Sequence, residues 1–96
     1  MTTAIQDSYP EEFAHCYGCG AANSEGMQLK TFLEGEETVS RHVPDASRTG
    51  GMPGHAYGGL IASLIDCHGT ASASAFVQRA RGTSINGTLI NVPVPR

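Results

Sequence analysis

Asp66 lies seven residues beyond the second glycine of the pair Gly58-Gly59, and this spacing is the part of the chain best suited to chemistry. The free backbone N–H groups and the positive dipole end at a helix start form a site for negative charge developing on oxygen. Glycine carries no Cβ to hold a substrate carbonyl away from those amides. A carboxylate two turns along the same helix can serve as general base toward water, or can attack a carbonyl carbon itself. Glycines also begin helices for packing reasons, so the pair taken alone does not specify a hydrolase.

Two further groups of residues have chemical spacing. Cys16-x-x-Cys19, preceded by His15, matches half of a zinc site or a redox pair. A second pair of ligands, from Cys67 with His68 or His55, is available only if the fold carries it across, and no strand-then-helix frames the motif as in thioredoxin-like proteins. The expectation is therefore small packing cysteines in a glycine-rich loop, with no metal. Among the histidines, His68 falls within the apolar arc of the helix and is expected to be buried and satisfied by a backbone carbonyl. His55, in the loop just before the helix, is better placed to meet a substrate, and His42 has no visible partner.

The element that positions Asp66 is a helix predicted from Gly58 to about Arg79. At about 100° per residue, Leu60, Ile61, Leu64, Ile65, Ala71, Ala75 and Phe76 share one arc, the apolar stripe of a helix with a buried face. The opposite arc carries Gly59, Ala62, Ser63, Asp66, Thr70 and Ala73, one carboxylate in a line of small side chains. A solvated face would show Lys, Glu, Gln and Arg, so this helix is expected to be covered on both sides, by a sheet on one and by a second subunit or a ligand on the other. The same pattern also fits a polar residue on an exposed small-residue face. Ahead of the helix, residues 1–12 read as a flexible leader and the turn-rich stretch Phe13 to Gly26 as a structured loop. Two alternating runs follow, Met27 to Leu33 and Glu37 to Val43, forming a hairpin about Glu34-Gly35-Glu36. The loop from Asp45 to Gly54 leads into the helix. Behind it, one strand is expected at Thr88 to Val92 after an Asn86-Gly87 turn.

Composition excludes several classes. The chain has 96 residues, 40% of them hydrophobic and 16% charged, with a net charge of -3, which fits one domain at most. Six scattered Lys and Arg residues form no basic patch, so nucleic acid is not an expected partner. No apolar run comes close to the ~20 residues of a membrane span, and the polar, acidic first residues do not read as a secretory signal. Three cysteines, an odd number, are consistent with reduced thiols and a cytoplasmic location.

These residues also carry a resemblance. Cys16-Tyr17-Gly18-Cys19-Gly20, Asn23 and Gly26-Met27, followed by Pro53-Gly54-His55-Ala56-Tyr57-Gly58-Gly59-Leu60-Ile61-Ala62-Ser63-Leu64-Ile65-Asp66, resemble the phenylacetate-pathway type of hotdog-fold thioesterase over roughly residues 13–79. The resemblance implies an α+β hotdog fold, a long central helix wrapped by an antiparallel sheet, as a single domain over residues 13–96. It implies pairing with a second copy into a homodimer or tetramer, with an acyl-CoA thioester at the subunit interface and no metal or organic cofactor. By position, Gly58 and Gly59 provide the oxyanion site and Asp66 the base or nucleophile, acting with the helix start of the other subunit. His55, Tyr57, Ser63 and Thr70 are the implied substrate contacts. The histidine that precedes the two glycines in that family is Tyr57 in this chain. The family sheet continues for several strands past the helix, whereas this sequence has room for about one, so the fold is expected to be cut short after the helix. The alternative function is a non-catalytic acyl-thioester binding module or an inactive remnant.

Overall fold

Alternating residues after Met27 and again after Glu36 supply the two strands that lie on the helix. The computed structural model describes residues 3–82 and the backbone of the strand pair at 84–85 and 88–89. Strand β1 (Thr31–Glu34) pairs antiparallel with β2 (Glu37–Ser40), Thr31 opposite Ser40 and Glu34 opposite Glu37. The two-residue turn Gly35-Glu36 joins them, with Gly35 at a φ of 66°, a conformation glycine adopts without steric cost. Both strands are shorter than the alternating runs. The reason at β1 is competition for backbone groups: the Met27 and Leu29 amides donate to the Tyr17 and Gly18 carbonyls, at 2.8 and 2.9 Å, instead of to a strand.

Helix α1 (Gly58–Ala80) runs for 23 residues and begins at the glycine pair, as the sequence predicts. It ends where the Arg81 and Gly82 amides turn back to the Val77 and Arg79 carbonyls, with Gly82 at a φ of 69°. Its buried residues are Leu60, Cys67, Ala71, Ala75 and Arg79. Ala71 and Ala75 meet Ile5 and Leu33 in one core cluster, and Cys67 meets Cys19 and Leu29 in a second. The Arg79 guanidinium lies over the Phe76 ring and donates to the Gly35 carbonyl at 2.9 Å, fixing the hairpin turn at the C-terminal end of the helix.

Three expectations are corrected. Ile61 and Ile65, assigned to the buried arc, are 48% and 67% exposed. The hairpin turn sits at Arg79 and the open end of β2, Ser40, sits at His68, so the short sheet stops before it reaches the turns that carry Ile65 and Ile61. Residues 4–13 are no loose leader: they form two short 3-10 turns, Ile5–Ser8 and Glu11–Phe13, and Ile5 and Gln6 are each 1% exposed. Gln6 is held because its side-chain amide both donates to Thr31 Oγ1 and accepts from the Thr31 N–H, at 2.8 Å each. Finally, α1 is itself long and apolar enough, by length and composition, to cross a membrane, a property it shares with core helices of folded domains.

After the helix, β3 (Ser84–Ile85) pairs antiparallel with β4 (Thr88–Leu89). The expected strand to Val92 is therefore present through Leu89. The expected Asn86-Gly87 turn and residues 90–96 lie outside the described residues. The architecture is α+β, a two-stranded antiparallel sheet on one long helix, with a second strand pair following it.

Candidate functional site

Gly58 and Gly59 open α1 with Tyr57 as N-cap in an extended conformation. The amides of Leu60 and Ile61 are taken up by the Tyr57 carbonyl, at 3.1 and 3.4 Å, while those of Gly58 and Gly59 have no partner among the described residues. The Tyr57 ring lies along Gly59, where an added Cβ would come within 2.6 Å of Cε2, whereas the space around Gly58 is open. The Gly58 backbone is thus the more accessible of the pair.

Asp66 is exposed in the single chain, and so is Thr70. Both line a cavity of about 470 Å³ whose apolar wall comes from Tyr9, Pro10 and Phe13 of the N-terminal segment. Ser63 does not join them, since its hydroxyl donates to the Gly59 carbonyl one turn back, at 2.8 Å. His55 is also separate. It lines a second hollow, of about 320 Å³, with Pro44, Arg48 and Thr49, and its carbonyl accepts the Gly50 amide at 2.7 Å. Of the predicted substrate contacts, Thr70 lines the cavity with Asp66, and His55, Tyr57 and Ser63 do not.

His68, expected to be buried on a backbone carbonyl, is half-buried and its partners are hydroxyls: Ser40 Oγ stands 2.7 Å from Nδ1 and Thr38 Oγ1 stands 3.4 Å from Nε2.

The feature least visible in the sequence is on the same cavity wall as Asp66. Cys16, Cys19 and Cys67 bring their sulfurs within 4.8 Å of one another, with Cys16 Sγ 3.8 Å from Cys67 Sγ across 51 positions of chain. The loop signals itself by Cys16-x-x-Cys19, and Cys67 is a candidate partner only if the fold carries it across, which it does without His68 or His55. Their surroundings differ. The Cys19 and Gly18 amides directed at Cys16 hold its thiol below the ordinary value of 9.0 against an opposing effect of burial. Burial raises the Cys19 thiol and pushes the Cys67 thiol up to about 12. Tyr9, packed on the same cluster, is likewise raised to about 12 by burial, and its hydroxyl is buried with no hydrogen-bond partner among the described residues.

Compared with known proteins, the chain matches no family model, no curated protein and no solved structure.

Proposed function

We propose that this chain is a hotdog-type acyl-CoA thioesterase that works as a pair of copies, with Asp66 as base or nucleophile and the Gly58 amide as oxyanion donor. The observation that carries the reading is one stripe on the open side of α1. Gly58, Ala62 and Asp66 follow at four-residue intervals, all exposed, and Ile61 and Ile65 beside them are uncovered by the sheet. Four-residue spacing keeps side chains on one face.

Within one chain, Gly58 and Asp66 are separated by eight positions, about 12 Å along the axis, which is too far to serve one carbonyl. Two copies packed antiparallel solve this. With a two-fold axis beside Ala62, Gly58 of one copy faces Asp66 of the partner subunit, and each of the two sites is completed in the same way. The small side chains at positions 58 and 62 let the helices approach closely, and Ile61 and Ile65 supply apolar area to bury. A thioester carbonyl held by the Gly58 amide then lies beside the carboxylate that delivers water or attacks. The acyl group extends into the cavity lined by Tyr9, Pro10 and Phe13. Its size suits a medium or aromatic acyl chain.

The test is thiol release from a panel of acyl-CoA thioesters by the purified chain. Asp66→Asn keeps the shape and removes the base, and should lower kcat about 10²-fold or more. Hydrolysis by wild type that persists at full rate in Asp66→Asn would overturn the assignment. Saturable acyl-CoA binding without turnover would favour the binding-module alternative.

A further inference from the structure

The three cysteines occupy the loop and the helix in a way packing alone does not require. Cys16 and Cys19 lie in a loop tied by short backbone bonds, the Gly20 amide to the Cys16 carbonyl at 2.7 Å and the Leu29 amide to the Gly18 carbonyl at 2.9 Å. Cys67 comes from the middle of α1. The two meet because residue 18 is glycine: a Cβ there would stand 2.4 Å from Cys67 Sγ. The loop therefore presents a gap shaped to admit one sulfur from the helix.

The distances suit a metal. Zinc–thiolate bonds of about 2.3 Å in tetrahedral geometry place sulfurs about 3.8 Å apart. The Cys16–Cys67 separation is already 3.8 Å, and all three sulfurs fall within 4.8 Å of one another, so movements of less than about 1 Å complete three corners of a tetrahedron. The same 3.8 Å is far beyond the roughly 2.05 Å of a disulfide, and all three thiols are free. Amides of Gly18 and Cys19 directed at the Cys16 sulfur are what a thiolate ligand needs around it.

A second observation points to something bound. The Tyr9 hydroxyl, on a ring packed against the cluster of Cys19, Leu29 and Cys67, is buried without a partner among the described residues, a polar group that a water or ion bound there would satisfy. Cys16, Cys19, Cys67 and Asp66 line one cavity, from which a fourth ligand can reach the cluster.

We propose that Cys16, Cys19 and Cys67 bind one zinc ion as three thiolates, with a water from the cavity as fourth ligand and hydrogen-bond partner of Tyr9. The ion ties the N-terminal loop to the central helix. The ion lies on the wall of the cavity that Asp66 also lines, and its test reads metal binding alone, independent of thioester hydrolysis.

The test is titration of the reduced, metal-free full chain with cobalt(II). The expected result is thiolate-to-cobalt charge-transfer absorption and tetrahedral d–d bands that saturate at one equivalent and vanish when zinc is added. Cys67→Ser should lose most of that absorption. Absence of the bands, or bands of undiminished intensity in Cys67→Ser, overturns the site. Should that variant fail to fold, wild type decides through the intensity of the thiolate-to-cobalt charge-transfer band, which grows with the number of sulfur ligands. Absorption matching three thiolates per cobalt supports the site, and absorption matching two or fewer overturns it.

Discussion

The Nδ1 atom of His68 lies 2.7 Å from Ser40 Oγ, and this contact links a chain of hydrogen bonds from the N-terminal segment to the helix. Gln6 Nε2 donates to Thr31 Oγ1, which lies 2.7 Å from Ser40 Oγ. On the other side of the ring, Ser72 Oγ spends its one hydrogen on the His68 carbonyl, at 2.7 Å. Thr38 Oγ1, 2.6 Å from Ser72 Oγ, must therefore donate to it, and the 3.4 Å contact between Thr38 and His68 Nε2 takes its hydrogen from the ring. In the neutral ring Nδ1 is then the acceptor for Ser40. His68→Leu removes both ring partners and leaves two part-buried hydroxyls short of a bond, at a cost of about 2 kcal/mol. A denaturant midpoint lowered accordingly at unchanged slope is the expected result. A change below about 0.5 kcal/mol would mean that water replaces the ring freely.

What the sequence revealed and what it hid divides along the range of the interactions involved. The start of α1 at Gly58 and its length are local properties, set by the glycine pair and a helical apolar period. The hairpin about Gly35 is local too. Burial of Ile5 and Gln6 depends on Leu33 and Thr31, more than twenty residues away, so a polar N-terminal stretch read as a leader. Periodicity also identifies an arc without saying how far the sheet extends along it, so Ile61 and Ile65 fall on the apolar arc and yet lie beyond the sheet. The convergence of Cys67 on Cys16 is the extreme case, because ligand spacing in a sequence reports only ligands from one segment.

The cysteines should differ in reactivity once metal is removed. The amides of Cys19 and Gly18 lower the Cys16 thiol below 9.0, and Cys16 is exposed, while burial raises Cys67 to about 12. Only thiolates alkylate, so the rate at Cys16 rises at lower pH than for an ordinary thiol. The rate at Cys67 remains small there and continues to climb toward pH 12. Iodoacetamide labelling followed by peptide mass spectrometry over a pH series reads both. Equal rates at neutral pH, or Cys67 modified first, would contradict the structure.

Close backbone approach sets the next expectation. A Cβ at Gly26 would lie 2.3 Å from the Tyr17 carbonyl oxygen, whereas Gly51 has nothing within 4 Å. The clash at Gly26 is with backbone that itself accepts the Met27 amide at 2.8 Å, so relief requires breaking the loop. Gly26→Ala should cost about 2–3 kcal/mol, within the range of overpacking a tight site. Gly51→Ala should stay within about 0.5 kcal/mol of wild type. Thermal melts of the two variants side by side make the comparison, and similar midpoints would remove the basis for the loop geometry around the cysteines.

The paired arrangement makes a geometric prediction at Ala62. If the two-fold axis passes beside it, residue 62 of one copy faces residue 62 of the other, and Ala62→Cys can form a disulfide between copies, which needs Cα atoms about 4.4–6.8 Å apart. Ala73 is equally exposed but lies eleven positions further along the helix. In an antiparallel pair centred on residue 62 the two copies of residue 73 are displaced in opposite directions, about 33 Å apart along the axis. Mild oxidation should therefore yield a covalent dimer from Ala62→Cys and none above the wild-type level from Ala73→Cys, as read on a non-reducing gel. Ile65→Glu places a charge in the same contact and should shift sedimentation toward monomer. Crosslinking at position 73 but not 62 would relocate the axis, and with it separate Gly58 from the carboxylate it has to face.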